Sequence, residues 1–287
     1  MQHFKIFIEL SRLNKPIGFM LLFWPCSWGL AYAYSINKDT FLFTYYLILF
    51  FLGSILMRSA GCIVNDIVDR KFDKKIERTR KRPIASGQIS IQRSIFYTFV
   101  LCSLAFVILI QFNLLTIILG ISSMFLAFSY PFMKRITYWP QLFLGITFNW
   151  GIIMAWVAMN NSITIEIIML YISAIFWTLG YDTIYGAQDI SDDEIIGLKS
   201  TSIKFKKNIK LFVSIAYLLT FLILIYLFQH NMDSKINIIF ILLFASNLIL
   251  QIFRFDRQKP ISCLKAFKLN NYAGFLLFLT IYSNGLI

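Results

Sequence analysis

Apolar residues run along this chain in long stretches, and polar residues gather in short intervals between them. A helix needs about 20 mostly apolar residues to cross a bilayer. Nine stretches fall in that range, at 17–35, 41–64, 94–112, 114–130, 141–159, 163–181, 210–228, 236–253 and 268–286. Little more than Gln111 and Asn113 divides the third from the fourth, which predicts a tight helical hairpin. Asn270, Asn271 and Gly274 interrupt the ninth, the weakest of the set. Ahead of the first, residues 1–15 mix Lys5, Glu9, Arg12 and Lys15 with Phe4, Ile6, Phe7, Ile8 and Leu10. That mixture suits an interfacial amphipathic helix better than a cleavable signal. The expectation is an all-α, polytopic membrane protein forming a single domain over residues 1–287.

Composition agrees. The chain is 58% hydrophobic and 14% charged, against about 45–50% and about 25% in soluble domains. Disordered, collagenous and disulfide-built classes are thereby excluded. The four cysteines (Cys26, Cys62, Cys102, Cys263) show no metal or redox spacing. With only His3 and His230 available, a His-ligated metal or His-based catalysis is not expected.

Charge placement adds topology. The net charge is +13, and in a nine-span arrangement twenty-four of the cations fall on the side of the N-terminus. They lie in the N-terminal segment, the loops after the second, sixth and eighth spans, and the short Lys134-Arg135 loop. Lys38 and Lys235 fall on the other side, and Arg58 lies within the second span. The positive-inside rule makes the rich side cytoplasmic. Dispersal over five short segments argues against nucleic acid as a partner. No Arg/Ser-rich, acid-poor presequence is evident, which favours a bacterial inner membrane over a mitochondrial one.

Acids are scarce, and nine of the fourteen fall in two segments. Asp66, Asp69 and Asp73, spaced i, i+3, i+7, share one helical face as the second span leaves the membrane, and Glu77 follows. Asp182, Asp189, Asp192, Asp193 and Glu194 mark the end of the sixth, with Tyr185 on the same predicted stripe. Like charges on one face near a low-dielectric boundary need a compensating cation. Carboxylate oxygens without histidine or cysteine suit Mg²⁺ or Ca²⁺, and the absence of EF-hand spacing demotes calcium sensing. Magnesium takes one or two carboxylates together with waters and substrate phosphate oxygens. Two acidic stripes among lysines and arginines therefore suit Mg²⁺-diphosphate. Arg58, about 10 Å deeper on the face of Asn65, needs a partner: Asp66 or a bound diphosphate. The runs 78–83 (Arg-Thr-Arg-Lys-Arg-Pro) and 197–202 (Gly-Leu-Lys-Ser-Thr-Ser) supply phosphate-binding groups. Asn149 and Trp150 either line a cavity or hydrogen-bond between helices.

The runs Arg12-Leu13-Asn14-Lys15-Pro16, Gly61-Cys62-Ile63-Val64-Asn65-Asp66-Ile67-Val68-Asp69 and Arg78-Thr79…Arg82-Pro83 carry a resemblance. Tyr130-Pro131-Phe132-Met133-Lys134-Arg135 and Tyr181-Asp182-Thr183-Ile184-Tyr185…Asp189…Asp192-Asp193…Lys199-Ser200-Thr201 complete it. Together they resemble the intramembrane aromatic prenyltransferases, in the branch acting on 4-hydroxybenzoate. The resemblance implies nine transmembrane helices around a central cavity, with cytoplasmic cap segments. It also implies transfer of a polyprenyl group from polyprenyl diphosphate to the carbon ortho to the hydroxyl of 4-hydroxybenzoate, within the lipid bilayer. Asp66, Asp69, Asp73, Asp189 and Asp193 would hold Mg²⁺ and, with Asp182, form the catalytic set. Arg58, Asn65, Arg70, Arg82, Tyr130, Lys134, Arg135, Tyr185, Lys199 and Ser200 would contact substrates. Arg135 or Lys134 is the candidate for the aromatic carboxylate, and Asp189 or Asp182 for the phenol. Competing expectations are a different acceptor, such as a menaquinone precursor or haem, and a divalent-cation transporter. A transporter would place its acids near the bilayer midplane rather than at helix ends.

Overall fold

Short polar residues start several of the helices. The Asp39 carboxylate accepts from Leu42 N at 2.9 Å and opens α3 (Thr40–Asp73). Ser90 caps α4 (Ile91–Leu109), and Asn113 caps α5 (Leu114–Ile136) by accepting from Thr116 N at 2.9 Å. These side chains satisfy backbone N–H groups that have no partner within the helix. The Asn113 amide also donates to Val157 O at 2.7 Å, tying the α4–α5 hairpin to the next helix.

The computed structural model describes residues 2–76, 79–229 and 235–285. Its remaining helices are α1 (Gln2–Ser11), α2 (Ile17–Asn37), α6 (Pro140–Asn160), α7 (Ile165–Gly186), α8 (Ile190–Ile195) and α9 (Thr201–Lys204). They continue with α10 (Ile209–Phe228), α11 (Lys235–Arg254), α12 (Pro260–Lys268) and α13 (Asn270–Asn284). The described residues contain no strand. Among the described residues eight helices are long and apolar enough to cross a membrane, and the chain is a multi-pass membrane protein. Large side chains such as Phe96, Val107, Phe125, Leu218 and Phe253 point outward, as a lipid-facing surface requires.

The ninth predicted span differs from expectation. Its first residue, Lys268, ends α12, and α13 has 15 residues, about 22 Å of helix against a hydrocarbon core of about 30 Å. It packs between α2 and α11 with Ala273, Leu277 and Ile281 buried. The asparagines that broke the apolar run are satisfied by indoles. Trp24 Nε1 donates to Asn271 Oδ1 and Trp177 Nε1 to Asn270 Oδ1, both at 2.9 Å.

The centre is built on α2, which packs against α3, α6 and α13. Its contact with α6 is close because glycines face it from both helices. A Cβ on Gly29 would collide with the Ile152 carbonyl, and one on Gly151 with Cys26 Sγ. Asn149 does not line the cavity. It is fully buried and donates to Gly145 O, Ala174 O and Thr178 Oγ1, joining α6 to α7. α1 lays Ile6, Phe7 and Leu10 onto a cluster with Ile63 of α3 and Leu101 of α4.

Side-chain contacts gather the cation-bearing segments at one end: Arg12 with Asp66, Arg82 with Asp73, Lys134 with Asp69, and Arg257 with the Lys206 carbonyl. The opposite end holds the Asn37–Asn160 contact and Lys38 on Gly285 O.

Candidate active site

At 34 residues, or about 51 Å, α3 outruns the bilayer. Its last two turns therefore project as a rigid helix beyond the hydrocarbon, carrying Asp66, Asp69 and Asp73 on one face. All three carboxylates are buried, at 2%, 1% and 5% exposure. Burying a carboxylate is costly unless it is paired and hydrogen-bonded, and each one here is. Arg12 meets Asp66 at 2.6 Å; Arg82 bridges Asp66 at 3.1 Å and Asp73 at 2.9 Å. Asp69 pairs with Lys134 and with Arg135, the latter at 3.2 Å. Burial alone would lower the pKa of Arg12, but Asp66 and its neighbours raise it above the ordinary value.

All of these groups except Arg135 line one cavity of about 1630 Å³. Its walls include Asn65, Asp66, Asp69, Asp73 and Arg82 from α3 and the segment after it, and Asp182, Tyr185, Asp189, Asp193, Lys199 and Ser200 from α7 and the segment after it. Away from these charges the lining becomes apolar, with Phe50, Phe106, Phe112, Met124 and Met154. One compartment thus offers charge at its mouth and hydrocarbon-like surface beyond it.

The second acidic segment is not one continuous stripe. α7 ends at Gly186, Ala187–Asp189 forms a 3₁₀ turn, and α8 follows. The tighter turn rotates what comes next, so Asp193 lines the cavity and Asp192 does not. Beyond it, Gly197 (φ +74°) supplies a left-handed turn. Lys199 N then donates to Lys134 O at 2.8 Å, and the Gln141 side-chain oxygen accepts from Thr201 N at 2.9 Å. Thr183 and Thr201 share a hydrogen bond of 2.7 Å. These bonds pin the cap carrying Lys199 and Ser200 to α5, α6 and α7.

Arg58 lies deeper. Its guanidinium sits 5.2 Å over the Phe148 ring, and its Nε is buried without a hydrogen-bond partner. A Cβ at Gly18 would come within 2.9 Å of that nitrogen. Asp66 is not its partner: Asp66 faces Arg12 and Arg82, while the carboxylate whose field reaches Arg58 is Asp182. Tyr130 lines the same region.

Two expected substrate contacts do not line the cavity. Arg70 folds back onto Ile67 O of its own helix at 2.9 Å. Arg135 is sandwiched by Phe72 and Phe132, with centroids at 4.8 and 5.7 Å. Glu77, Arg78 and His230 lie outside the described residues. Conversely, Arg12 and Gln141 belong to the site although neither was expected there. Arg12 had a usable signal, as a cation just ahead of the first span in a chain whose acids needed partners.

Among the described residues no three His, Cys, Asp or Glu side chains converge into a complete metal cage. A magnesium ion does not require one, because it keeps waters and shares substrate oxygens. The hard oxygens of Asp66, Asp69, Asp73, Asp189 and Asp193 around one cavity fit that habit.

The sequence matches the model of the UbiA prenyltransferase family over residues 22–279. It is 39% identical over 272 residues to 4-hydroxybenzoate octaprenyltransferase of Psychromonas ingrahamii, covering 95% of this chain and 93% of that one. A mitochondrial 4-hydroxybenzoate polyprenyltransferase of Drosophila pseudoobscura is 40% identical over 283 residues, or 96% of this chain and 70% of that one. Among solved structures, an apo UbiA homolog from Aeropyrum pernix aligns with a TM-score of 0.76 at 22% identity, covering 90% of this chain and 94% of that one. A homolog from Archaeoglobus fulgidus bound to GPP and Mg²⁺ aligns at 0.69 and 15% identity, covering 98% and 100%. The match across nearly the whole length, the shared helical fold and the close relatives make this chain a member of the UbiA prenyltransferase family and an intramembrane prenyltransferase.

Proposed function

We propose that the enzyme transfers a polyprenyl group from its diphosphate to the ring carbon ortho to the hydroxyl of 4-hydroxybenzoate. The observation that carries this reading is the single cavity with facing acidic segments at a cationic mouth and an apolar interior. The relatives' activities on 4-hydroxybenzoate support the acceptor, and the metal-bound structural neighbour supports magnesium.

Asp66, Asp69 and Asp73 would hold magnesium from α3, and Asp189 and Asp193 from the segment after α7; the ion would supply the positive charge that neutralises the departing diphosphate. Arg12, Arg82, Lys134 and Lys199 turn from carboxylates and carbonyls toward phosphate oxygens and fix positive charge where leaving-group charge develops. The carbon–oxygen bond to diphosphate breaks with its electron pair going to the leaving group. Rings such as Tyr130, Tyr185 and Phe148 face the allylic carbon as it becomes cationic. The ring carbon of the acceptor then forms the new carbon–carbon bond and gives up its proton. Arg58 replaces Arg135 as the anchor for the acceptor's carboxylate, because its side chain lines the cavity and that of Arg135 does not. Asp182 and Tyr130 sit where they can orient the phenol. The polyprenyl tail stays in apolar surroundings, each CH₂ worth about 0.8 kcal/mol.

The cationic end faces the cytoplasm under the positive-inside rule. The test incubates membranes containing the protein with Mg²⁺, labelled 4-hydroxybenzoate and polyprenyl diphosphates of several lengths. A labelled, lipid-soluble product that disappears on chelation is expected. Prenylation of a different aromatic acceptor in preference to 4-hydroxybenzoate overturns the assignment.

A further inference from the structure

A second recess opens between the turn after α9 and the turn after α11. It encloses about 420 Å³ and is lined by Lys206, Lys207, Lys210, Arg257 and one acid, Asp256. That acid is already engaged, accepting from Gln258 N at 3.0 Å and lying 3.7 Å from Lys259 Nζ. Lys206 pairs with Glu194 at 2.6 Å. Lys207, Lys210 and Arg257 have no carboxylate within salt-bridge distance among the described residues. At the active-site mouth, by contrast, Arg12, Arg82, Lys134 and Arg135 all face aspartates.

The walls of this recess are ordered by specific contacts. Arg257 donates to the Lys206 carbonyl and joins the two turns. The Lys210 ammonium lies 5.5 Å over the ring of Phe255, which is fully buried. The recess sits where α10 begins and α11 ends, at the edge of the membrane-crossing body. Leu211 and Phe253 flank it as outward-facing apolar side chains, 59% and 78% exposed. Uncompensated cations beside lipid-facing hydrocarbon match both halves of one kind of molecule.

We propose that this recess seats the headgroup of an anionic phospholipid. Lys207 and Lys210 meet the phosphate as point charges and Arg257 offers its planar fork. The acyl chains lie against Leu211 and Phe253. Basic pockets between helices at the cytoplasmic face recognise anionic headgroups in this way. The Lys206–Glu194 pair links the recess to α8, which carries Asp193.

Native mass spectrometry of the full chain in detergent, titrated with phosphatidylglycerol or phosphatidylcholine, tests the proposal. The wild type should retain phosphatidylglycerol preferentially. Lys207→Gln with Lys210→Gln, both at exposed positions, should weaken that retention by roughly tenfold and leave phosphatidylcholine unchanged. Adding Arg257→Gln should weaken it further, and the double variant stands alone should the triple fail to fold. Lys5→Gln with Lys265→Gln removes the same charge elsewhere and should change retention by less than about twofold, as surface charge far from a site does. Equal loss in both double variants marks diffuse surface attraction and overturns the proposal. So does displacement of the lipid by inorganic phosphate, but not by chloride at the same ionic strength.

Discussion

Arg12 closes α1 with a left-handed backbone, φ 56°, a conformation costing a side-chain-bearing residue about 1–3 kcal/mol. The turn brings its guanidinium onto Asp66 at 2.6 Å, a charge-assisted bond of about 1.5–3 kcal/mol, enough to offset the strain. Asp66 is thus held in place before any ligand arrives. Asp66→Asn keeps the shape but removes the charge that would hold metal. It should lower turnover by at least about a hundredfold, on the scale of losing one electrostatic group at a reacting centre. The helical circular dichroism should persist; near-normal magnesium-dependent transfer in this variant would remove the first acidic segment from the mechanism. The two arginines offer a sharper comparison. Arg58→Ala should raise KM for the aromatic acid more than for the polyprenyl diphosphate. Arg135→Ala, which loses contacts to Asp69, Phe72 and Phe132 but does not itself line the cavity, should show no such split. The reverse pattern in initial-rate kinetics returns the carboxylate to Arg135.

Between helices, what matters is how closely the axes approach. Gly29 of α2 and Gly151 of α6 each leave room for an atom of the facing helix. Gly29→Ala drives a methyl into the Ile152 carbonyl, which cannot rotate away, so the helices must separate. Overpacking of this kind costs about 1–3 kcal/mol. The thermal midpoint in detergent should fall by several degrees, while transfer measured at low temperature is retained. This contact was not legible in the sequence, since a glycine in a transmembrane stretch does not announce what faces it. The spans themselves were legible, because a bilayer demands long apolar runs and few structures satisfy the backbone within it. α13 shows the limit. Its asparagines read as interruptions, yet Trp24 and Trp177 reach them from other helices, and no local pattern encodes those partners. The stripe from Asp182 to Asp193 left Asp192 and Asp193 undistinguished for a related reason: a 3₁₀ turn changes the angular step per residue, and side-chain spacing alone assumes a constant one.

For the whole molecule, the scarce charges were more informative than the abundant ones. The cation surplus marked one end of the bundle, and the few acids within it marked the candidate site. What the sequence left open was pairing. Spacing placed Asp66, Asp69 and Asp73 on a face, but only the fold brings Arg12, Arg82 and Lys134 to them from three separate segments. Those ion pairs mean that the resting enzyme competes with its own ligands. Metal approaching alone must displace arginine and lysine from the aspartates, and diphosphate approaching alone meets the aspartates' repulsion. Under the proposed reading, the two arriving together would let each released cation find a phosphate and each aspartate a metal. Magnesium affinity measured by calorimetry should therefore rise when a non-reactive diphosphate is present, and the affinity for diphosphate should rise with magnesium by the same factor. A coupling of 1–3 kcal/mol, or about 5–150-fold, is the usual range for such linkage, and independent binding of the two would remove the exchange. The consequence is a lock that answers only to two keys turned at once, so that neither free magnesium nor an unaccompanied pyrophosphate in the cell would hold the site for long.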